Sequence, residues 1–295
     1  MNKDAAAHAA APNGGASEPG GAQVQKKKSD LKPRLIAGAV MAAITLVLTY
    51  AGTIPFAALV LGVALVMCWE WGRVVRGEEF GPALVVHALV VAVAGVLTVV
   101  GQPVLGLAGL VVGAIALLAM PLGPRRGMSA AGVAYVGLPT IAMLWLRGDQ
   151  ALGFEAVLFV FAIVWGSDIG AFAAGRGIGG PKLWARVSPN KTWAGFFGGL
   201  TAGVVAGIIF AQFVAGTSSV VLALTGLVLA FVAQAGDLAE SALKRRFGIK
   251  DSSAIIPGHG GVMDRADSTV AVSVAVSVMA IVMNAASPAR ALFGL

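Results

Sequence analysis

Residues 82–100 read PALVVHALVVAVAGVLTVV, with His87 as the only ionisable side chain. A run of about 20 apolar residues is the length at which a helix crosses a bilayer core of roughly 30 Å. Backbone polar groups in lipid must be satisfied within their own segment. The two-residue alternation of a membrane barrel strand is missing. The stretch therefore predicts a transmembrane helix. Eight similar stretches lie near 35–52, 54–72, 103–121, 129–146, 152–174, 194–214, 218–236 and 268–286. The expected fold class is all-α: a polytopic integral membrane protein with about nine transmembrane helices.

Composition points the same way. Of 295 residues, 58% are apolar and 12% charged, where a soluble domain carries about 25% charged residues. The 40 glycines suit helices that approach closely in lipid. The single cysteine, Cys68, lies in an apolar run, which excludes an internal disulfide and a cysteine-based zinc or redox site. The net charge is +7, but the basic residues stand in short clusters between apolar runs. That pattern points to lipid headgroups, phosphorylated substrates and membrane orientation, and away from nucleic acid.

Residues 1–33 are mostly Ala, Gly, Pro, Ser and Lys. Such a segment buries too little apolar surface to order itself, so a disordered N-terminal tail is expected, with 34–295 as the transmembrane domain. If the tail is cytoplasmic, nine spans leave only Arg147 and Arg290 on the opposite side. That places 19 of the 21 Lys and Arg residues on the cytoplasmic side, as the positive-inside rule requires. The expected location is the cell membrane, with the N-terminus and both long loops cytoplasmic. Those loops cover about 175–193 and 237–267. Long connections in compact proteins are functional or disordered, and the patterned, mixed-sign charge of these two points to an active site.

The second loop opens with Asp237, Ser241 and Lys244, spaced i, i+4, i+7 on a helix that continues the eighth span. This spacing puts a carboxylate, a hydroxyl and an ammonium on one face. Pro257-Gly-His259-Gly260-Gly261 follows, where glycines permit tight turning and close backbone approach. Asp264-Arg265-Ala266-Asp267 then opens the ninth helix, and helix starts bind anions. Carboxylates beside Lys and Arg suit a cation-bound phosphate. Mg2+ takes one or two carboxylates and completes its shell with water and phosphate oxygens. Asp237 and Asp264 root the two ends of the loop, positions from which they can face each other. The first loop carries Arg176 and Ser188-Pro-Asn190-Lys191-Thr192 just before a helix, a second candidate phosphate contact. It is not a Walker A loop. Asp168 lies inside an apolar run, and an intramembrane acid is a functional candidate. Glu70, near a helix end, is expected to have no direct role.

The stretch from Ser241 to Asp267 resembles the motif of the phosphatidate cytidylyltransferases, or CDP-diacylglycerol synthases. Ser241, Lys244, Arg245, Lys250, Asp251, Ser253, Pro257, His259, Gly260, Gly261, Asp264, Arg265 and Asp267 all fall where that pattern places them. Ala266 departs from it, where a larger aliphatic residue or Thr is usual. The segments around Asp168–Arg176 and Ser188–Thr192 also resemble the family, and the likeness spans about residues 35–290.

The resemblance implies that phosphatidate attacks the α-phosphorus of CTP and that pyrophosphate leaves. It implies Mg2+, held by Asp237 and Asp264, and admits a second, monovalent cation such as K+. Lys244, Arg245, Lys250 and Arg265 would neutralise the phosphates. Ser188, Lys191, Thr192 and Ser241 would hold substrate oxygens. Asp168, Arg176, Asn190, Asp251, His259, Gly260, Gly261 and Asp267 complete the expected substrate contacts. Expected partners are CTP, phosphatidate and membrane lipids; a homodimer is left open. Because the attacking phosphate is already an anion, His259 is not needed as a base.

Three rival functions differ from this one in what they require. A CTP-dependent polyprenol-type lipid kinase would transfer the γ-phosphate instead. A transporter fits poorly, since no paired broken helices stand at matching positions in two halves. A CDP-alcohol phosphotransferase lacks its Asp-x2-Asp-Gly-x2-Ala-Arg run here.

Overall fold

The computed structural model describes residues 31–256 and 260–295, with side chains from Ile36 onward. The expected disordered tail lies outside the described residues apart from its last three positions. His259 lies outside them too.

Nine long helices follow one another: α1 (Leu31–Tyr50), α2 (Thr53–Arg76), α3 (Pro82–Val99), α4 (Pro103–Ala119), α5 (Arg126–Arg147), α6 (Gly153–Gly177), α7 (Trp193–Phe210), α8 (Ser219–Arg246) and α9 (Met263–Asn284). A short α10 (Pro288–Phe293) closes the chain. Seven helices are long and apolar enough to cross a membrane, α5 together with the turn before it. Ile36–Tyr50 and Pro103–Ala119 are shorter apolar helices. The all-α polytopic class is as the sequence predicts.

Three details differ. First, residues 182–192 form a hairpin of β1 (Lys182–Trp184) and β2 (Ser188–Thr192) rather than an irregular loop. Second, α9 begins at Met263, several residues before the apolar run near 268, because its charged first turn is folded against other groups. Third, α10 packs its apolar side into the core, where Phe293 and Leu292 are buried. Phe293 lies against Phe159 with ring centroids 5.7 Å apart.

Contacts between helix ends settle which ends share a side. Arg125 donates to the carbonyl of Arg76, which joins the α2 end to the α5 start. Glu70 of α2 meets Ser253 of the α8–α9 connection, and Lys191 meets Asp237. At the opposite ends, Arg147 donates to the carbonyl of Thr49 at 3.2 Å, and Ala289 donates to Asp149 at 3.2 Å. Both long connections therefore open on the side where most of the described basic residues stand.

The seam between α6, α7 and α8 is built on small residues. The buried residues of α7 are Gly195, Gly199, Gly203 and Gly207, a four-residue repeat that forms one stripe. A Cβ on Gly203 would lie 2.5 Å from the Ala230 Cβ and 2.6 Å from the Gly226 carbonyl. Gly203→Leu is therefore expected to push α7 off α8 and to destabilise the protein by about 1–3 kcal/mol. Thermal unfolding in detergent measures this, and an unchanged midpoint would contradict the close approach.

Candidate active site

The helical spacing of α8 brings Asp237, Glu240, Ser241 and Lys244 to the face that meets α9. The register is set by small residues: a Cβ on Gly236 would lie 2.5 Å from the Ala271 Cβ and 3.2 Å from the Asp267 carbonyl. At the other end, Lys244 Nζ reaches Asp264 Oδ1 at 2.6 Å. Asp267 thus stands near the level of Asp237. Asp264 lies about one turn further along, roughly 5 Å of axial rise.

Lys244 is buried between two acids. Its ammonium is also 3.2 Å from Glu240 Oε1, and neither Glu240 oxygen has a hydrogen-bond partner among the described residues. Asp264 is fully engaged. Beyond Lys244, its Oδ2 accepts from the Ser252 amide at 2.9 Å, the Ser252 hydroxyl at 3.1 Å and the Gly261 amide at 2.8 Å. A buried carboxylate needs this many donors to repay lost hydration.

The same hydrogen bonds fold the connection from Phe247 to Val262. Ile256 donates to the Gly260 carbonyl at 3.0 Å, closing a tight turn. Gly260 has φ of 84°, a left-handed backbone that suits glycine. Gly261 is required for space: a methyl there would overlap Ser252 Oγ and Glu70 Oε1. Each glycine therefore has its own physical reason, one conformational and one steric.

The hairpin supplies the second lysine. Lys191 Nζ lies 2.7 Å from Asp237 Oδ2, and both side chains are partly exposed. Ser241 donates to Asp237 Oδ1 at 3.4 Å. Thr192 caps α7, its Oγ1 accepting from the Gly195 amide at 3.1 Å. Its hydroxyl hydrogen remains free for an acceptor. Two carboxylates on facing helices are thus each held by a lysine.

An apolar cavity of about 450 Å³ reaches the loop and the first turn of α9 at Ile256, Val262, Arg265 and Ala266. Its walls come from α1, α2, α5, α6 and α9, including Met41, Phe56, Met143 and Trp165, and its charged members are Asp168 and Arg265. Asp168 and Arg265 are exposed on these walls.

The structure brings together Lys191, Asp237, Ser241, Lys244, Gly260, Gly261, Asp264 and Asp267, with Asp168 and Arg265 on the cavity wall. It does not bring in Arg245, whose guanidinium donates to the Ile249 carbonyl at 3.0 Å. Nor does it bring in Arg176, which lies 5.8 Å over the Phe172 ring. Asn190, Lys250 and Asp251 are exposed, and Ser188 is half-buried. Four residues absent from the expected site belong to it: Glu70, Glu240, Ser252 and Ser253. For Glu70 the sequence did hold a signal, an acid in an apolar run, the same reasoning that singled out Asp168. No direct role is expected of Glu70, yet the structure ties it to the site's loop. Glu70 is fully buried and accepts three hydrogen bonds from the site's loop.

Among the described residues, no group of three or more His, Cys, Asp or Glu side chains gathers as a metal cage. Asp237 and Asp264 offer hard carboxylate oxygens of the kind Mg2+ takes when phosphate oxygens and water complete its shell.

A model of the cytidylyltransferase family matches residues 32–283. A phosphatidate cytidylyltransferase of Brucella suis is 40% identical over 244 residues, 82% of this chain and 90% of that protein. The protein of that name from Brucella abortus is also 40% identical over the same length. One from Staphylococcus epidermidis is 44% identical over 137 residues, 46% of this chain and 52% of its own. With its helical membrane fold and its lysine-held carboxylates, this chain belongs to the cytidylyltransferase family.

Proposed function

We propose that the chain joins CTP to phosphatidate, forming CDP-diacylglycerol and releasing pyrophosphate, with Mg2+ at Asp237 and Asp264. The observation that carries this reading is the juxtaposition of lysine-held carboxylates with an apolar cavity. An aqueous, phosphate-rich substrate and a membrane lipid can meet only where such environments adjoin. The printed names of the relatives support the same reading. The active-site loops would face the cytoplasm, as the positive-inside rule requires of the more basic side.

In this reaction an oxygen of the lipid phosphate forms a bond to the α-phosphorus of CTP, and the bond from that phosphorus to the bridging oxygen breaks. Both electrons of the broken bond leave with pyrophosphate. The nucleophile is already anionic, so the protein's task is positioning and charge neutralisation. When bound, Mg2+ supplies positive charge that offsets repulsion between the two anions. Lys191 and Lys244 are held 2.7 Å and 2.6 Å from Asp237 and Asp264. Once phosphates arrive, these ammonium groups can turn to them and release carboxylate oxygens. Arg265, on the cavity wall, would hold the lipid phosphate with the acyl chains lying along Phe56, Met143 and Trp165. Ser188, Asn190, Thr192 and Ser241 offer polar groups to the remaining oxygens.

Product analysis tests the reading. Purified protein in lipid nanodiscs receives phosphatidate and CTP labelled at the α-phosphate. Label in a CDP-lipid, with pyrophosphate released, is the expected result. A phosphorylated lipid with free CDP would instead show a lipid kinase. Flux of solute without CTP turnover would show a transporter.

A further inference from the structure

We propose that Glu70 is a positioning residue: from α2 it caps the start of α9 and so fixes where Asp264 stands. Its carboxylate joins segments far apart in sequence. Oε1 accepts from the Ser253 hydroxyl at 2.5 Å and the Val262 amide at 2.9 Å. Oε2 accepts from the Met263 amide at 2.6 Å. Among the described residues it makes no ion pair, so neutral donors hold it.

The first amides of a helix lack partners within the helix and carry partial positive charge. A helix ordinarily meets this need with a side chain at its own start. α9 has no such cap, and Glu70 supplies one from another helix. Burying a carboxylate is costly, and an apolar residue would fill the same space without that cost. What the carboxylate adds is geometry.

The arrangement of donors shows which geometry. Ser252 binds Asp264 while Ser253 binds Glu70. Gly261 binds Asp264 while Val262 and Met263 bind Glu70. The two acids divide adjacent residues of both loop strands between them. Asp264 follows Met263 directly, so any shift of the helix start relative to α2 moves Asp264 against Lys244. Supporting partners of this kind are worth about 10- to 100-fold in activity or metal affinity when removed.

This inference rests on the proposed cytidylyl transfer, and its test separates the two. Wild-type protein that makes no CDP-lipid overturns the reaction and leaves no role to position. With wild type active, Glu70→Gln decides. Its amide keeps the side chain's size but turns an N–H donor toward one of the donors that the carboxylate accepts. The expected result is a fall in kcat of about 10- to 100-fold with a raised Mg2+ requirement. KM for CTP should change little. Hydrogen exchange should accelerate at Val262 and Met263 and stay unchanged in α7. A merely structural role would lower the unfolding midpoint but leave kcat, Mg2+ requirement and local exchange of the folded protein as in wild type. That outcome overturns the proposal. Should Glu70→Gln fail to fold, Ser253→Ala replaces it, since it removes one donor and leaves the carboxylate in place. Ser253→Ala should show the same pattern in smaller measure, and wild-type kcat and exchange in it overturn the proposal. Combining both substitutions should cost less than the product of the single effects, because they break one shared contact.

Discussion

Asp264→Asn is expected to cut CTP-dependent turnover by about 100- to 1,000-fold, the range seen when a group preorganised for transition-state charge is removed. The sequence alone suggests that this variant folds as well as wild type. The structure revises that expectation. Asp264 accepts four hydrogen bonds, one from the buried ammonium of Lys244. Asparagine keeps one acceptor oxygen and presents N–H groups where donors already point. Glu240 remains 3.2 Å from Lys244 and keeps that ammonium partly compensated. A stability loss of about 1–3 kcal/mol should therefore accompany the loss of turnover. Initial rates of CDP-lipid formation below the variant's unfolding midpoint separate the two effects. Wild-type protein stripped with EDTA should also stop, and added Mg2+ should restore it, whereas the folded variant should stay low under saturating Mg2+. A folded Asp264→Asn protein with wild-type rate would remove Asp264 from the site.

What the sequence could and could not reveal follows from the range of each interaction. The helical class is legible because a bilayer imposes one polarity on each helix, while seven of the nine expected spans are long and apolar enough to cross. The α8 face carrying Asp237, Ser241 and Lys244 is legible because helical spacing alone sets it. Hydropathy alone starts the ninth span near 268, and Asp264, Arg265 and Asp267 read as its opening turn only from the charged pattern that follows the glycines. Their turn is stabilised by Glu70, nearly 200 residues earlier. Glu70 itself reads as an unremarkable helix-end acid for the same reason: its partners are distant in the chain. The pairing of each aspartate with a lysine is likewise tertiary. Lys191 and Asp237 are contributed by a hairpin and a helix, and the hairpin has only three- and five-residue strands, too short to show alternation. The motif resemblance gives Arg245 to phosphate, while the structure shows its guanidinium donating to the Ile249 carbonyl.

Gly261→Ala should lose about 100-fold in turnover, from a change of one methyl group. Backbone conformation is not the cause, since positive φ belongs to Gly260 rather than to Gly261. Space is the cause. The added carbon would overlap Ser252 Oγ and Glu70 Oε1 and lie 2.9 Å from Glu70 Cδ. These atoms are not free ends of flexible chains. Ser252 is tied to Asp264 by its amide and its hydroxyl, and Glu70 is tied to Ser253, Val262 and Met263. Relief must come from moving the loop, which carries the Gly261 amide away from Asp264 and shifts the start of α9. Displacements near 1 Å in a positioned site cost about 100-fold. Gly62→Ala, on α2 with nothing within 4 Å of the added carbon, serves as the matched control and should keep its turnover. The same purified assay reads both. If Gly261→Ala matches the control, the loop has slack that this packing denies, and the two-acid clamp on it would have to be abandoned.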